Sequence, residues 1–297
     1  MHHLARLAVC LIALAMMTSP RLACAGSEPD VPLDTLLTMR VDGSVTIDLQ
    51  GHVAGYQIDT PVPDTLRGTL DHAVAGWRFQ PVVLDGKPAV ARTKMRITLA
   101  ARKLDPDHYQ VTVDNVVFPG GPGRLASGAN SQPIELTARS VHPPRFPGEL
   151  ARVGASARIL IAIRANPDGQ IVDVVAIQSS LLDTKGTQRN MAWAIRQFQD
   201  ATIKAARQWR VGVIGTIDQT NRDNLTATAS VQFTMPNREI DVPGQWLLES
   251  RTPLQDIPWE PKAEGNQRVG VSDVAPGELI PTASDYKLLS DVIGKAL

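Results

Sequence analysis

Apolar and polar residues alternate between residues 35 and 60, which is the period of β-strands with one buried face. In the first run the apolar residues occupy odd-numbered positions, at Val41, Val45, Ile47 and Leu49. A second run follows, with Val53, Tyr56 and Ile58. The Asp42-Gly43 and Gln50-Gly51 pairs are typical of turns. The pattern therefore predicts two strands that are bounded by turn residues.

The period then changes to about 3.6 residues, which is typical of an amphipathic helix. Asp64 is a suitable N-cap after two prolines, and one helical face collects Leu66, Leu70, Ala73, Val74 and Trp77. The chain turns at Asp85-Gly86 and enters a strand from about Val90 to Leu99. This part of the chain therefore predicts the order strand, strand, helix, strand.

The same order recurs in the second half of the chain. Strands are predicted at 158–165 and 171–177, with a turn at 166–169 between them. A helix over 188–209 and a strand over 225–234 follow, and Trp209-Arg210-Val211 matches Trp77-Arg78-Phe79. Two similar units indicate an internal repeat, although about twenty residues after Ser180 have no counterpart. We therefore predict an α+β fold of two modules, each a small antiparallel sheet packed against one helix.

Prolines and glycines mark the segments between and after these modules. Residues 119–133 have no apolar period and are rich in both, which predicts a linker after a strand at 108–118. After Pro236 more prolines interrupt a polar tail, and only residues 284–296 have a helical pattern. The predicted boundaries are a signal peptide at 1–25, a degenerate first module at 33–103, a strand and Gly/Pro-rich linker at 104–140, a second module at 141–238, and an irregular Pro-rich tail with a terminal helix at 239–297.

The N-terminus has the pattern of an export signal. Arg6 precedes an apolar run from Leu7 to Met17, and Ala23-Cys24-Ala25 is an A-x-A cleavage site. As a helix this run is about 16 Å long, whereas the hydrocarbon core of a bilayer is about 30 Å thick. The sequence therefore predicts cleavage after Ala25, release into the periplasm and no stable membrane span. Lipid anchoring at Cys24 is the alternative that this pattern leaves open.

Composition and charge exclude several classes of function. The chain has 30 basic and 30 acidic residues, so no surplus of positive charge points to nucleic acid as a partner. Both cysteines lie in the predicted signal, which leaves the mature chain without a thiol. The histidines lack metal-binding spacing, and no G-x-S-x-G surrounds Ser179-Ser180. Trp77 and Trp209 lie on apolar helix faces, which favours packing over ligand stacking. We therefore predict no catalytic residue, no metal site and no cofactor.

Several motifs of the second module occur in a recognisable order. Pro144-Arg145-Phe146-Pro147 and Gly154 precede a strand, then Asp168-Gly169, Ser179-Ser180 and a helix that ends at Trp209-Arg210-Val211 follow. Together they resemble the TonB C-terminal domain family. The first module resembles it in degenerate form, through Gly51, Trp77-Arg78-Phe79 and Asp85-Gly86.

This resemblance implies protein binding and no catalysis. TonB C-terminal domains bind a strand of an outer-membrane receptor by adding it to a sheet edge, which is β-augmentation. A TonB energy transducer also keeps an N-terminal membrane anchor and a long Pro-rich spacer, and this chain departs from both features. We therefore expect a periplasmic, TonB-like adaptor in envelope transport, whose partner is an envelope protein or a receptor strand. A membrane-anchored TonB transducer and an envelope hydrolase are the alternatives.

The last strand of the second module is the candidate binding edge. Residues 225–234 contain neither charge nor proline, although soluble proteins usually protect an exposed edge with such residues. The edge is therefore either reserved for a partner strand or covered by the tail after Pro236. The residues assigned to this candidate edge strand are Leu225, Ala227, Ala229, Val231 and Phe233.

Overall fold

A computed structural model describes residues 32–84, 86–119, 135–215, 217, 222, 225–236, 238–261, 268–282 and 286–297. The predicted signal peptide and nearly all of the predicted linker lie outside these residues. The elements, in chain order, are β1 (Asp34–Ile47), β2 (Val53–Ile58), α1 (Asp64–Ala75), β3 (Val83–Leu84), β4 (Lys87–Pro88), β5 (Ala91–Lys103), β6 (Tyr109–Val117), β7 (Glu135–Ser140), α2 (Gly148–Arg152), β8 (Ser156–Ala165), β9 (Ile171–Leu182), α3 (Gln188–Ala206), β10 (Arg210–Ile214), β11 (Leu225–Phe233), β12 (Leu247–Arg251) and β13 (Leu279–Pro281).

The fold is a mixed one of helices and strands, in which one antiparallel sheet dominates. Nine strands form this sheet in the order β13-β11-β8-β9-β12-β1-β5-β6, and β2 pairs with β1 beside that path. Strand β10 pairs with β7, and β3 pairs with β4, in two further small sheets. The helices α1 and α3 pack on one face of the large sheet, each over its own apolar cluster.

The two halves of the chain repeat the same local arrangement. The order in the sheet is β2-β1-β5 in the first half and β9-β8-β11 in the second, and a helix follows β2 and β9. Gly51 and Gly169 end the tight turns before β2 and β9, with φ of 85° and 75°. Their carbonyl groups accept hydrogen bonds from the amides of Phe79 and Val211, at 2.7 and 2.9 Å. In each half, the segment after the helix is therefore hydrogen-bonded to the turn between the first two strands. The repeated Trp-Arg motif in the sequence lies in this segment.

Replacing Gly169 with alanine is expected to destabilise the fold by at least about 1–3 kcal/mol, the usual cost of a non-glycine residue in a strained backbone region. A Cβ at this position would lie 1.9 Å from the carbonyl oxygen of Val211, so the backbone would also have to move. Gly55 is the matched control because a Cβ there meets nothing within 4 Å. Chemical denaturation of both variants tests this expectation, and equal midpoints would contradict it.

The Asp42-Gly43 pair does not form the turn that its sequence suggests. Strand β1 continues through it to Ile47, and β2 runs alongside. A Cβ on Gly43 would lie 2.3 Å from the carbonyl oxygen of Gln57. Glycine is therefore present here because the neighbouring backbone approaches closely, and its conformational freedom is not used for a turn.

The tail after residue 238 differs most from the prediction, because it supplies two strands of the large sheet. Strand β12 pairs with β9 on one side and with the first residues of β1 on the other. Strand β1 extends beyond the end of β2, so its first residues need another neighbour. The two halves therefore share one sheet, where the sequence predicts two separate sheets, and residues 31–297 form one compact unit.

The predicted helix over 284–296 is also absent from the described residues 286–297, which contain no helical residue. This segment lies against β6, where the amide of Val113 donates to the carbonyl of Lys295 and the amide of Leu297 donates to the carbonyl of Val111. The apolar residues that suggested a helix, Tyr286, Leu288 and Val292, pack against the first-half core. Contacts with distant strands therefore override the local helical pattern.

The sheet face opposite the helices is covered by the tail. Val271, Val274 and Ile280 pack there on Leu160 and Ala162 of β8, and Ile177 of β9 completes the buried cluster. Alternate residues of β8 face the helix α3 on the other side. Strand β8 is therefore buried on both faces, which explains why its sequence is almost continuously apolar.

Candidate functional site at strand β11

All five residues of the candidate edge strand lie in β11, and the structure places their side chains on one face. That face points into the apolar cluster under α3, and each of the five is buried, with no more than 7% of its surface exposed. The side chains are therefore core residues, although Ala229 and Val231 also belong to the lining of the groove described below. What β11 offers at its outer edge is its main chain, on the side away from β8.

The tail covers the middle of this outer edge. Strand β13 pairs with Ala227, Thr228 and Ala229 through the residues Leu279–Pro281. The amide of Ser230 donates to the carbonyl of Glu278 at 3.3 Å, and the amide of Gly277 donates to the carbonyl of Ser230 at 2.9 Å. The sequence leaves two possibilities for this edge, a partner strand or the tail. In this structure the tail occupies it.

A groove of about 420 Å³ opens beside the covered edge. Its size lies within the range of about 300–1,000 Å³ that is usual for ligand pockets. Its wall is mainly apolar. Val141, Pro143 and Pro144 line it, together with Trp209, which follows the end of α3. Residues 229–232 of β11 and residues 276–279 of the tail complete the lining. The groove therefore places an apolar wall next to strand edges, an arrangement that suits an extended peptide.

Trp209 is held in this wall by a hydrogen bond. Its indole Nε1 donates to the carbonyl oxygen of His142 at 2.9 Å, and the side chain is buried. The bond connects the end of α3 to the Pro143-Pro144 segment. Trp209 is therefore both a core residue and one side of the groove.

The tail is fastened to the sheet by buried and partly buried charges, which we call the charged layer. It consists of three arginines on sheet strands and four carboxylates in the tail: Arg40, Arg96, Arg158, Asp241, Glu249, Asp273 and Glu278. Arg40 and Arg158 both contact the carboxylate of Asp241, at 2.6 and 2.8 Å. Glu249 lies 3.6 Å from Arg158 and accepts a hydrogen bond of 2.6 Å from the hydroxyl of Ser272. Salt bridges therefore connect both halves of the chain to the tail.

Arg96 connects this layer to the β11 edge. Its guanidinium donates to the carboxylates of Asp42 and Glu278, both at 2.6 Å, and to the main-chain carbonyl of Asp273 at 2.7 Å. Glu278 is the residue directly before β13. The position of the covering strand on β11 is therefore coupled to an arginine of β5.

Asp273 is the most deeply buried carboxylate with a shifted pKa. Burial raises its pKa to about 6, against the opposing effect of hydrogen bonds donated by Thr98, the amide of Gly270 and Asn115. The nearby carboxylate of Asp114 raises the pKa further. The groups that donate hydrogen bonds to this carboxylate are all neutral.

The stability of the protein is expected to depend on the ionisation of Asp273. Its pKa is about 6 in the folded chain and 3.8 when unperturbed, so the folded state binds the proton more tightly. The stability that the folded chain gains from protonated Asp273 is therefore fully present below pH 3.8 and is lost as the pH rises through 6. The difference in unfolding free energy between the wild type and Asp273→Asn should fall by up to about 3 kcal/mol between pH 4 and pH 7. Denaturant titrations at several pH values measure it, and a constant difference would contradict the expectation.

The sequence predicted the strand β11 but missed both its outer neighbour β13 and the charged layer. Arg40 and Arg158 lie at positions within predicted strands where a charge is unusual, and this is the signal that could have indicated buried partners. The partners themselves lie about 80 to 200 residues away along the chain, for example Asp241 for Arg40. Ser179 and Ser180, which invite a nucleophile interpretation, are buried in β9.

The described residues contain no group of three or more His, Cys, Asp or Glu side chains that could hold a metal ion. Among the same residues, no helix is long and apolar enough to cross a membrane. No protein-family model matches this chain, and no curated protein or solved structure is similar to it at a significant level. What the site does is therefore inferred from its geometry.

Proposed function

We propose that this chain is a non-enzymatic, TonB-like adaptor of the bacterial periplasm that binds an extended strand of an envelope protein. The binding site is the outer edge of β11 together with the adjacent groove. The observation that carries the proposal is that this edge already holds an added antiparallel strand, β13, beside an apolar groove. In β-augmentation the main chain supplies affinity and the flanking pockets supply selectivity.

Two features of the sequence support the same function. The motifs from Pro144 to Val211 resemble the TonB C-terminal family, whose members bind a strand at a sheet edge. The predicted export signal at 1–25 directs the chain to the periplasm, where envelope receptors expose such strands. The groove side is also suitable for a peptide, since Pro143, Pro144 and Trp209 form a rigid apolar surface.

Site-specific crosslinking in the periplasm tests the proposal. A photoreactive residue at Val141, which lines the groove and is 43% exposed, should crosslink to a segment of an envelope protein. The same residue at Val153, which is 75% exposed and does not line the groove, is the control. A synthetic peptide of the crosslinked segment should then bind the purified chain.

A matched pair of substitutions distinguishes peptide binding in the groove from peptide binding elsewhere on the surface. Val141→Asp places a charge in the groove and should weaken peptide binding at least tenfold, whereas Val153→Asp should leave it unchanged. Both positions are exposed, so both variants should melt like the wild type. Equal binding by the two variants, or identical crosslinks at the two positions, would remove the case for strand capture at this site.

A further inference from the structure

The covering strand β13 is held to β11 by a short ladder. Three residues of β13 pair with β11, whereas nine residues of β8 pair with β11 on the other side. Pro281, the last residue of β13, has no amide hydrogen to donate. Structural elements with fewer hydrogen bonds open at a lower free energy than the centre of a sheet. Strand β13 is therefore the weaker of the two neighbours of β11.

Residues 275–282, which we call the cover, are only partly buried. Ile280 is buried in the tail-face cluster, but Pro276 and Gly277 are exposed, and Leu279 is only partly buried. The cover begins after Asp273, whose side chain is fixed by Thr98 and Asn115. Beyond it, residues 294–297 are bound along β6. The segments on both sides of the cover are therefore anchored independently of it.

The ion pair that Glu278 of the cover forms with Arg96 is arranged so that it can be released. Glu278 contacts Arg96, and Arg96 also binds the carboxylate of Asp42 at 2.6 Å. Removing one partner of a buried ion pair is costly when the remaining charge is left without compensation. Here Asp42 and the carbonyl of Asp273 remain on Arg96 when Glu278 leaves. The arginine therefore stays paired in the open state.

We propose that residues 275–282 act as an intramolecular cover of the β11 edge, which a partner strand displaces when it binds. This inference rests on the proposed function, since it describes how the same edge is regulated. The cover lowers the apparent affinity of the edge for a partner in proportion to the fraction of molecules in which it is open. Weakening the cover therefore tightens the binding of an added strand and leaves the sheet intact.

The test uses a labelled synthetic peptide with the sequence of residues 275–282, Ala-Pro-Gly-Glu-Leu-Ile-Pro-Thr. The full chain carries the double substitution Glu278→Gln with Ile280→Ser, which weakens the cover in place. A matched double substitution, Glu239→Gln with Leu289→Ser, changes an exposed glutamate and an exposed leucine elsewhere in the tail. Fluorescence anisotropy should show at least tenfold tighter peptide binding by the first variant than by the wild type, and no change for the control.

Amide hydrogen exchange shows whether the cover opens without loss of the fold. The amides of Ser230 and Gly277 form hydrogen bonds between β11 and the cover, so they should exchange faster in the first variant. The amides of the β8–β11 ladder should stay protected. Loss of protection throughout β8 and β11 would overturn the inference, because the cover would then be part of the global fold. An open cover without tighter peptide binding would overturn it as well.

The outcome for the proposed function is separate. Tight peptide binding by the opened variant, together with no envelope segment crosslinked at Val141, would leave the cover established and remove the adaptor function. Conversely, envelope crosslinks at Val141 without any effect of the cover substitutions would support the adaptor and overturn only the cover.

Discussion

Replacing Arg158 with alanine is expected to lower the free energy of unfolding by about 3–5 kcal/mol, the usual cost of removing one partner from a buried ion pair. The Arg158 side chain is 1% exposed and contacts the carboxylates of Asp241 and Glu249. It also donates to the side-chain oxygen of Gln232 at 3.2 Å. Its loss removes the cation that contacts the Glu249 carboxylate, which is itself 1% exposed. Urea denaturation followed by circular dichroism measures the change.

Arg238→Ala is the control for this prediction. Arg238 also contacts an aspartate, Asp183, at 2.6 Å, but the two side chains are 38% and 57% exposed. Exposed pairs of this kind contribute about 0–1 kcal/mol. Similar losses for Arg158→Ala and Arg238→Ala would mean that the charged layer does not hold the tail on the sheet.

The second large effect is expected at the two tryptophans that follow the main helices. Trp77→Ala and Trp209→Ala should each cost about 3–5 kcal/mol, since truncation of a buried aromatic side chain leaves a cavity. Trp77 is 2% exposed and packs edge-on against Phe79 and Phe118. Trp193 on α3, which is 38% exposed, is the control and should cost much less when replaced by alanine.

The shared sheet changes how these variants should unfold. The sequence predicts that each tryptophan supports its own module, so each variant would lose one half of the protein. Because β12 joins β9 to β1 within one sheet, we now expect one cooperative transition in both variants. Two resolved transitions in calorimetry, with only one shifted by each substitution, would instead show that the modules unfold independently.

Phenylalanine substitutions separate the role of packing from that of the indole hydrogen bond. Trp209→Phe loses the bond from Nε1 to the carbonyl of His142, which is worth about 1 kcal/mol beyond the loss of packing. The Nε1 of Trp77 is buried and has no hydrogen-bond partner among the residues that the structure describes. Trp77→Phe should therefore be the milder of the two changes in a thermal melt, and the reverse order would contradict this assignment.

The local elements of both halves could be predicted because their signals are short-range. The continuous apolar run of β8, the turn at Gly169 and the amphipathic face of α3 each depend on residues that are close in sequence. The similarity of the two turns was visible for the same reason, since Gly51 and Gly169 meet equivalent backbone requirements. Strand β11 was predicted from its alternation of apolar and small polar residues.

The candidate site was predictable only in part. Its strand was identified, but alternation alone does not decide whether a strand lies at an open edge, at a covered edge or between two others. The side chains of Ala227, Ala229 and Val231 proved to be buried core. Their burial follows from the position of α3 over that face, which involves residues about 30 positions away.

The sequence by itself determined the strand-strand-helix-strand order of each half, the turns at Gly51 and Gly169, and the residues that the helices bury. Only the tertiary structure decided that the halves share one sheet, that the tail supplies β12 and β13, and that arginines of the sheet bind carboxylates of the tail. Strands β12 and β13 have five and three residues, too few for a period to be recognised. Their partners, Leu36 for Glu249 and Thr228 for Ile280, are distant in sequence, so their stability comes from pairing and burial that no local pattern records.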